Sequence, residues 1–380
     1  MKLRVAMFYH SLVSDWNHGN AHFLRGIATE LQASGYELRI FEPENNWSTV
    51  NLLREAGHGA IGEFHRAFPG LHSISYDPAA PALDDWLDGV DLAIVHEWND
   101  PDLVAAIGRY RRSAKNLRLF FHDTHHRAIT APEELSRFDL SEYDGILAYG
   151  ASLKDAYVKR GWGRQVHVWH EAADTRIFYP RQVESIDGEV VWIGNWGDDE
   201  RSEEIREFLI RPVAESDWRV TVRGVRYPQQ ALAELAAAGI EYGGWIPNFQ
   251  VPPMFAQFRA TVHIPRRPYT QQLPGIPTIR PFEALACGIP LVSAPWSDSE
   301  DLFRPGRDFL VAQNGPEMRR HLQDIFNDVD LVRSLISTGL ETIRRRHTCA
   351  HRVDELLSIY RAIMPAPSAN AESLPHEVHQ

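Results

Sequence analysis

Residues 273–296 read LPGIPTIRPFEALACGIPLVSAPW. A loop rich in proline and glycine comes first, then a short apolar helix, then an apolar strand. Pro281 is the expected first helical residue and Gly288 the stop, the usual asymmetry of proline at the start and glycine past the end. The loop residues Gly275, Ile276 and Thr278 precede a helix N-terminus whose free backbone N–H groups suit a diphosphate. Glu283 is expected in the first turn. There it can accept two ribose hydroxyls or simply offset the helix dipole. No Ser or Thr stands three residues before it, so no capping box is expected.

Outward from this segment, apolar runs alternate with amphipathic ones. Before the middle of the chain, LRVAMFY (3–9), YELRIFE (36–42), HSISY, DLAIVHEW, LRLFFHD, GILAYG and QVHVWHEA read as strands. After it, EVVWIGNWG, WRVTVRG, IEYGG, ATVHIPRR, IPLVSAPW and DFLVAQN do the same. Helical patterns separate them; Phe23, Leu24, Ile27, Ala28 and Leu31 fall on one face of the first helix, which Gly35 ends. This alternation predicts α/β architecture with parallel sheets covered on both faces. The polar, irregular stretch after residue 172 breaks it. The expected organisation is a Rossmann-like domain over 1–172, a linker over 173–188 and a second Rossmann-like domain over 189–349. A last helix over 350–363 is free to return to the first domain, and 366–380 is expected to be a disordered tail. Ligands of open α/β sheets bind beyond the C-terminal strand ends, so two such domains make a cleft between them.

Composition narrows the function classes. With 380 residues, 44% hydrophobic and 24% charged, the chain has material for two cores. The formal net charge of −12 argues against general nucleic-acid binding. An anionic ligand must then be held locally, by helix N-termini and a few arginines. Cys287 and Cys349 are the two cysteines, which gives no disulfide framework and no cysteine zinc site. A reducing, cytoplasmic location fits. No run approaches the length of a spanning helix, and the N-terminal run reads as a strand and not a leader. Peripheral membrane contact stays open.

Four further segments carry candidate chemistry. In RLFFHDTHHRA (118–128) a strand ends at His122 and Asp123, followed by His125, His126 and Arg127. Such residues can bind a metal, or cap and hold a loop. In WIGNWGDDERS (192–202), Gly194, Asn195, Trp196 and Gly197 permit close backbone approach, and Arg201 opens a helix as a phosphate contact or an ordinary surface arginine. In HIPRRPYTQQLPG (263–275), Arg266 and Arg267 can stabilise a leaving diphosphate, with one of the two facing the site. Arg223 and Arg226 are weaker candidates, and Trp245 can pack beside a base or within a core. In SLVSDWNHGNAH (11–22), Gly19 and Asn20 lead into the first helix. No Ser-His-Asp arrangement, Walker loop or opening GxGxxG occurs. Asp198-Asp199 sits in a helix-entry turn that favours the dipole.

The run 273–296 resembles the C-terminal signature of group 1 glycosyltransferases, and the chain as a whole resembles their CgeB-like, spore-maturation-type branch. The supporting segments are FFHDTHHRAITAPEEL, YDGILAYGASLKDAY, WHEAADTRIFYP, VVWIGNWGDDERS, YGGWIPN, HIPRRPY and PGRDFLVA, which with that run cover most of 117–352. The resemblance implies the GT-B fold and transfer of a sugar from a nucleotide-sugar donor to a glycan or other small acceptor. It implies retention of configuration, no metal and no cofactor. The first domain would face the acceptor. His122 or His125 would contact the donor sugar, with Asp123 orienting the group. Arg201 would reach the diphosphate and Glu283 the ribose. Many group 1 enzymes carry two glutamates eight positions apart. Glu283 matches the second, but Gly275 stands at the first, so backbone N–H groups of Gly275 and Ile276 are the candidate substitutes. A sugar-nucleotide epimerase, a degenerate sugar-nucleotide binder and a metal hydrolase are the alternatives.

Overall fold

The computed structural model describes residues 2–364; the expected tail over 366–380 lies outside them. Thirteen strands form in the order expected. They are β1 (Arg4–Phe8), β2 (Glu37–Pro43), β3 (Ile74–Tyr76), β4 (Leu92–His96), β5 (Arg118–Asp123), β6 (Gly145–Ala148), β7 (Val166–Val168), β8 (Gly188–Ile193), β9 (Val220–Arg223), β10 (Ile240–Tyr242), β11 (Phe258–His263), β12 (Leu291–Ser293) and β13 (Leu310–Val311). The first sheet runs β3-β2-β1-β4-β5-β6-β7 and the second β10-β9-β8-β11-β12-β13. Every neighbouring pair is parallel. Parallel strands are covered on both faces, which is why β4 and β5 are buried at every position and carry the apolar runs Leu92–Val95 and Leu119–Phe121.

Both sheets reverse direction of growth at their first strand, between β1 and β4 and between β8 and β11. Loops leave such a switch point to opposite faces and open a crevice at the strand C-termini. The irregular segment between β7 and β8 joins the sheets. The last helix, Cys349–Ala362, lies against the first, Ala21–Ala33. A Cβ at Gly26 would stand 2.4 Å from the Cys349 sulfur, so glycine is what lets the two approach. Trp169 Nε1 donates to the Arg352 carbonyl at 2.8 Å, and Arg352 Nε donates to the His170 carbonyl at 2.9 Å.

The domains share apolar material. One buried cluster contains Val5, Phe23 and Trp169 together with Val191, Phe255 and Phe282. Polar bonds add to it across the gap. The Glu300 carboxylate accepts from the Ala151 N–H at 2.9 Å and lies 2.8 Å from His170 Nε2. The Asp15 carboxylate accepts the Asn248 N–H at 3.0 Å. The C-terminal ends of the two sheets are thereby held face to face.

Candidate functional site

Between those ends lies a cavity of about 590 Å³. Its second-domain wall is built from strand-end loops and one helix start, with Trp245, Ile246 and Asn248 coming from the loop after β10. After β8 come Gly194, Asn195, Asp198 and Arg201; after β9, Gly224 and Arg226; at the end of β11, His263 and Arg266; and at the start of the helix Ile279–Cys287, Thr278, Ile279 and Arg280. That helix begins two residues before the expected Pro281. Proline is tolerated there because the first-turn N–H groups have no intrahelical partner. Thr278, at its N-cap, has φ +58°, a conformation that a β-branched residue adopts only under strain.

Four guanidiniums, Arg201, Arg226, Arg266 and Arg280, line the cavity, Arg226 being paired with Asp198 at 2.9 Å. Arg201 is enclosed. Its Nη1 donates to the Ile264 carbonyl at 3.0 Å and its Nε to the Asn195 carbonyl at 3.2 Å. No carboxylate pairs with it among the described residues. Burial, then the nearby Arg266 charge, push it down to about 9, so it still carries its charge at neutral pH. Gly197, at φ +92°, makes room: a Cβ there would meet the Arg201 side chain at 2.8 Å. Arg266 pairs with Glu200 at 2.8 Å. Burial alone would raise the Glu200 carboxyl; hydrogen bonds from His126 and Arg266 outweigh it and hold it at about 2.

The first-domain wall carries His10, Asp15, Asn17, His18, Gly19 and Asn20 from the loop after β1. Trp47 follows β2, Trp98 follows β4, and Thr124 and His125 follow β5. Buried Arg25 fixes the first loop by donating to the Leu12 and Val13 carbonyls at 2.9 Å and to Asp15 at 2.8 Å. Burial lowers His10 to about 4 and carries His18 well down, so both rings are neutral at pH 7.

Of the residues singled out in the sequence, Gly19, Asn20, His125, Gly194, Asn195, Arg201, Arg266 and Thr278 line this cavity, with Arg226 and Trp245. The others do not. His122 points into the core, where its Nδ1 lies 2.8 Å from the Tyr9 hydroxyl and its ring packs on Trp169. Asp123 accepts the Tyr157 hydroxyl at 2.7 Å and the His125 N–H at 2.9 Å, so it shapes the loop beneath His125. Arg267 turns outward to Glu204 at 3.1 Å. Trp196 is core material of the second domain. Arg223 donates to the Gly243 carbonyl. The Gly275 N–H is taken by the Ser297 carbonyl at 2.9 Å and Ile276 is buried, so neither backbone faces the cavity as a substitute for the missing acid.

Glu283 requires the largest correction. It lies in the second turn of its helix and is fully buried. Its carboxylate accepts Asn248 Nδ2 at 2.6 Å, lies 3.0 Å from His22 Nδ1 and pairs with Arg280. Burial would raise it; these partners outweigh that and lower it. All its partners are protein groups, and it has no surface on the cavity, so this geometry offers no ribose contact. Sequence reasoning also passed over His10, His18, Trp47, Trp98, His263 and Arg280. The rule that strand-end loops face the cleft would have reached them, since each follows or ends a strand or opens the helix.

Two parallel sheets of Rossmann order meeting at one cleft define the GT-B class of fold. The comparisons with known proteins agree. Residues 201–358 match a family model described as glycosyl transferase-like. Sucrose-phosphate synthase from Thermosynechococcus elongatus aligns over 95% of this chain and 99% of its own, at 14% identity and TM-score 0.64. Anabaena HepE, solved in complex with UDP and glucose, covers 95% and 100%, at 13% and 0.64. T4 phage BGT, solved with its UDP-glucose substrate, covers 95% and 99%, at 14% and 0.61. No curated protein sequence matches significantly. These findings support the group 1 resemblance and the GT-B fold, while the CgeB-like branch goes beyond them. Among the described residues no helix is long and apolar enough to cross a membrane, and no cluster of three metal-ligating side chains occurs.

Proposed function

We propose that this chain transfers a sugar from a nucleotide-sugar donor to a hydroxyl acceptor. The observation that carries the reading is Arg201. A half-buried cation on a cavity wall, bonded only to carbonyls among the described residues, gains from an anion that joins it. Arg266, Arg280 and the N-terminus of helix Ile279–Cys287 share that wall. Together they suit a diphosphate whose negative charge grows as the sugar leaves.

In this scheme the acceptor oxygen bonds to the anomeric carbon and the bond to the diphosphate breaks. The diphosphate departs with the electron pair. The group 1 resemblance implies retention, in which the acceptor attacks from the side of the departing phosphate and a phosphate oxygen takes the hydroxyl proton. Arginines and helix dipole supply the charge stabilisation, so the proposed reaction is metal-independent. Closure of the cleft limits wasteful hydrolysis of the donor.

The test is a thermal-shift screen against UDP-, GDP- and dTDP-sugars, beginning with UDP-glucose because two structural neighbours were solved with UDP-containing ligands. A ligand at about 100 times its Kd stabilises the folded chain by about 2.7 kcal/mol. Absence of any shift at millimolar concentration sinks the reading. Conversion of a sugar nucleotide incubated alone, without acceptor, would point to the epimerase instead. The anomer of the transferred sugar, read by NMR, decides retention.

A further inference from the structure

The two cavity walls differ in chemistry. Opposite the arginines, the first-domain wall is aromatic. The His10 ring lies 4.8 Å from Trp47 and 6.4 Å from Trp98, making a row of three. The plates are braced from behind. Trp16 meets Trp47 edge-on at 5.9 Å and its indole N–H donates to Glu55 at 2.5 Å. Arg127, paired with Glu97, covers Trp98 at 3.9 Å. Trp47 keeps 38% of its surface open. Around the row, His10 Nε2, His18 Nε2 and Asn20 Oδ1 are buried without a partner. All three residues are more than nine-tenths buried and line the cavity. The first-domain residues of this wall include no Lys or Arg.

We propose that this aromatic row is the acceptor subsite and that it takes an uncharged saccharide. The inference rests on the glycosyltransferase reading above. A sugar ring has an apolar face of C–H groups, which covers an indole plate, and a rim of hydroxyls, which reaches His10, His18 and Asn20. A flat aromatic acceptor would cover the plates and leave those buried polar groups unpaired. A phosphorylated or carboxylated acceptor would find no cation to pair with on this side, since Arg25 is held by Asp15, Arg127 by Glu97, and neither lines the cavity. The neutral rings of His10 and His18 each offer a nitrogen to a hydroxyl, which then bonds to the anomeric carbon as described above.

Titration calorimetry tests this on the whole chain loaded with whichever of UDP, GDP or dTDP binds. The probes are maltose, cellobiose and lactose, with glucose 6-phosphate and p-nitrophenol as contrasts. At least one neutral disaccharide is expected to bind. Trp47→Ala should weaken it by about tenfold, Trp47→Phe should restore most of the loss, and nucleotide affinity should change by less than about twofold in both. The proposal is overturned if glucose 6-phosphate binds more tightly than every disaccharide, or if p-nitrophenol alone binds. It is also overturned if no disaccharide binds a nucleotide-loaded protein, or if Trp47→Ala weakens nucleotide equally. A chain that binds no nucleotide at all defeats the glycosyltransferase reading itself, a separate result.

Discussion

Arg201 and Glu283 are both enclosed, charged and close to the cavity, yet they call for opposite tests. Arg201 lacks a counter-charge, so removing it relieves a desolvated cation while taking away an anion contact. Arg201→Ala is expected to weaken nucleoside-diphosphate binding by about 10- to 100-fold, the range of one charge-assisted hydrogen bond of about 1.5–3 kcal/mol. Calorimetry with the nucleotide measures it, and unchanged affinity would remove the observation on which the function rests. Glu283 is satisfied by three protein partners. Glu283→Ala leaves buried His22 and the cavity-facing Arg280 without their shared carboxylate, and breaking a buried pair costs about 3–5 kcal/mol. A large drop in Tm is expected, with nucleotide affinity largely kept at temperatures where the variant is folded. Loss of nucleotide affinity at an unchanged Tm would restore the ribose role that the group 1 resemblance implies.

At the scale of the element, the second-domain wall depends on how closely its loops approach. Gly224, at φ +157°, would place a Cβ 2.1 Å from the Gly194 carbonyl oxygen. Gly224→Ala must push apart the loops after β8 and β9. It is expected to cost at least about 2 kcal/mol and to weaken nucleotide binding as well, measured by denaturant unfolding and calorimetry. An alanine variant as stable as the parent would mean that the loops move freely. The same scale explains what was legible in the sequence. All thirteen strands were: the central ones are buried on both faces and read as apolar runs, and the short, more exposed edge strands β3, β7 and β10 stand out by their place between helical patterns. The loops of the site were also legible, since strand ends at a switch point face the cleft. Side-chain direction was not. His122 is the last but one residue of β5, and the phase of the pleat turns it toward Tyr9 and Trp169, whereas His125 lies past the strand and reaches the cavity. The surroundings of Glu283 come from His22 and Asn248, which reach it from distant elements, so no local pattern announces them.

The whole molecule is closed around a set of neutral histidines, and this gives its stability a defined pH response. Burial holds His10 at about 4 and His122, His263 and His347 at about 3, against an ordinary 6.5. The unfolded chain binds protons that these sites refuse, so stability is lost as pH falls below 6.5 toward 3. Glu200, held at about 2 against 4.5, adds a loss of the same sign at the acid end. Glu171, Glu97 and Asp123 oppose them. Burial raises Glu171 to about 8 from 4.5, and burial with the neighbouring Asp123 charge raises Glu97 to about 8 as well, while burial raises Asp123 to about 6 from 3.8. The folded chain keeps protons there that the unfolded chain releases, so stability declines as pH rises from about 4 to 8. Between 4.5 and 6.5 these four histidines, joined by His18, His96 and His125, which burial also carries well down, outnumber the three carboxyls. At the acid end the carboxyls are protonated in both states and oppose nothing. Above 6.5 the histidine contribution is constant. Tm should therefore peak near pH 6.5, fall steeply on the acid side and decline gently toward pH 8. Scanning calorimetry from pH 3.5 to 8 measures the two limbs, and Glu171→Gln should make the alkaline one about half as steep, the Glu97 share remaining, while leaving the slope at the acid end unchanged. An acid limb no steeper than the alkaline one would mean that the buried histidines take up protons without unfolding the chain, and that the closed cleft admits water to them.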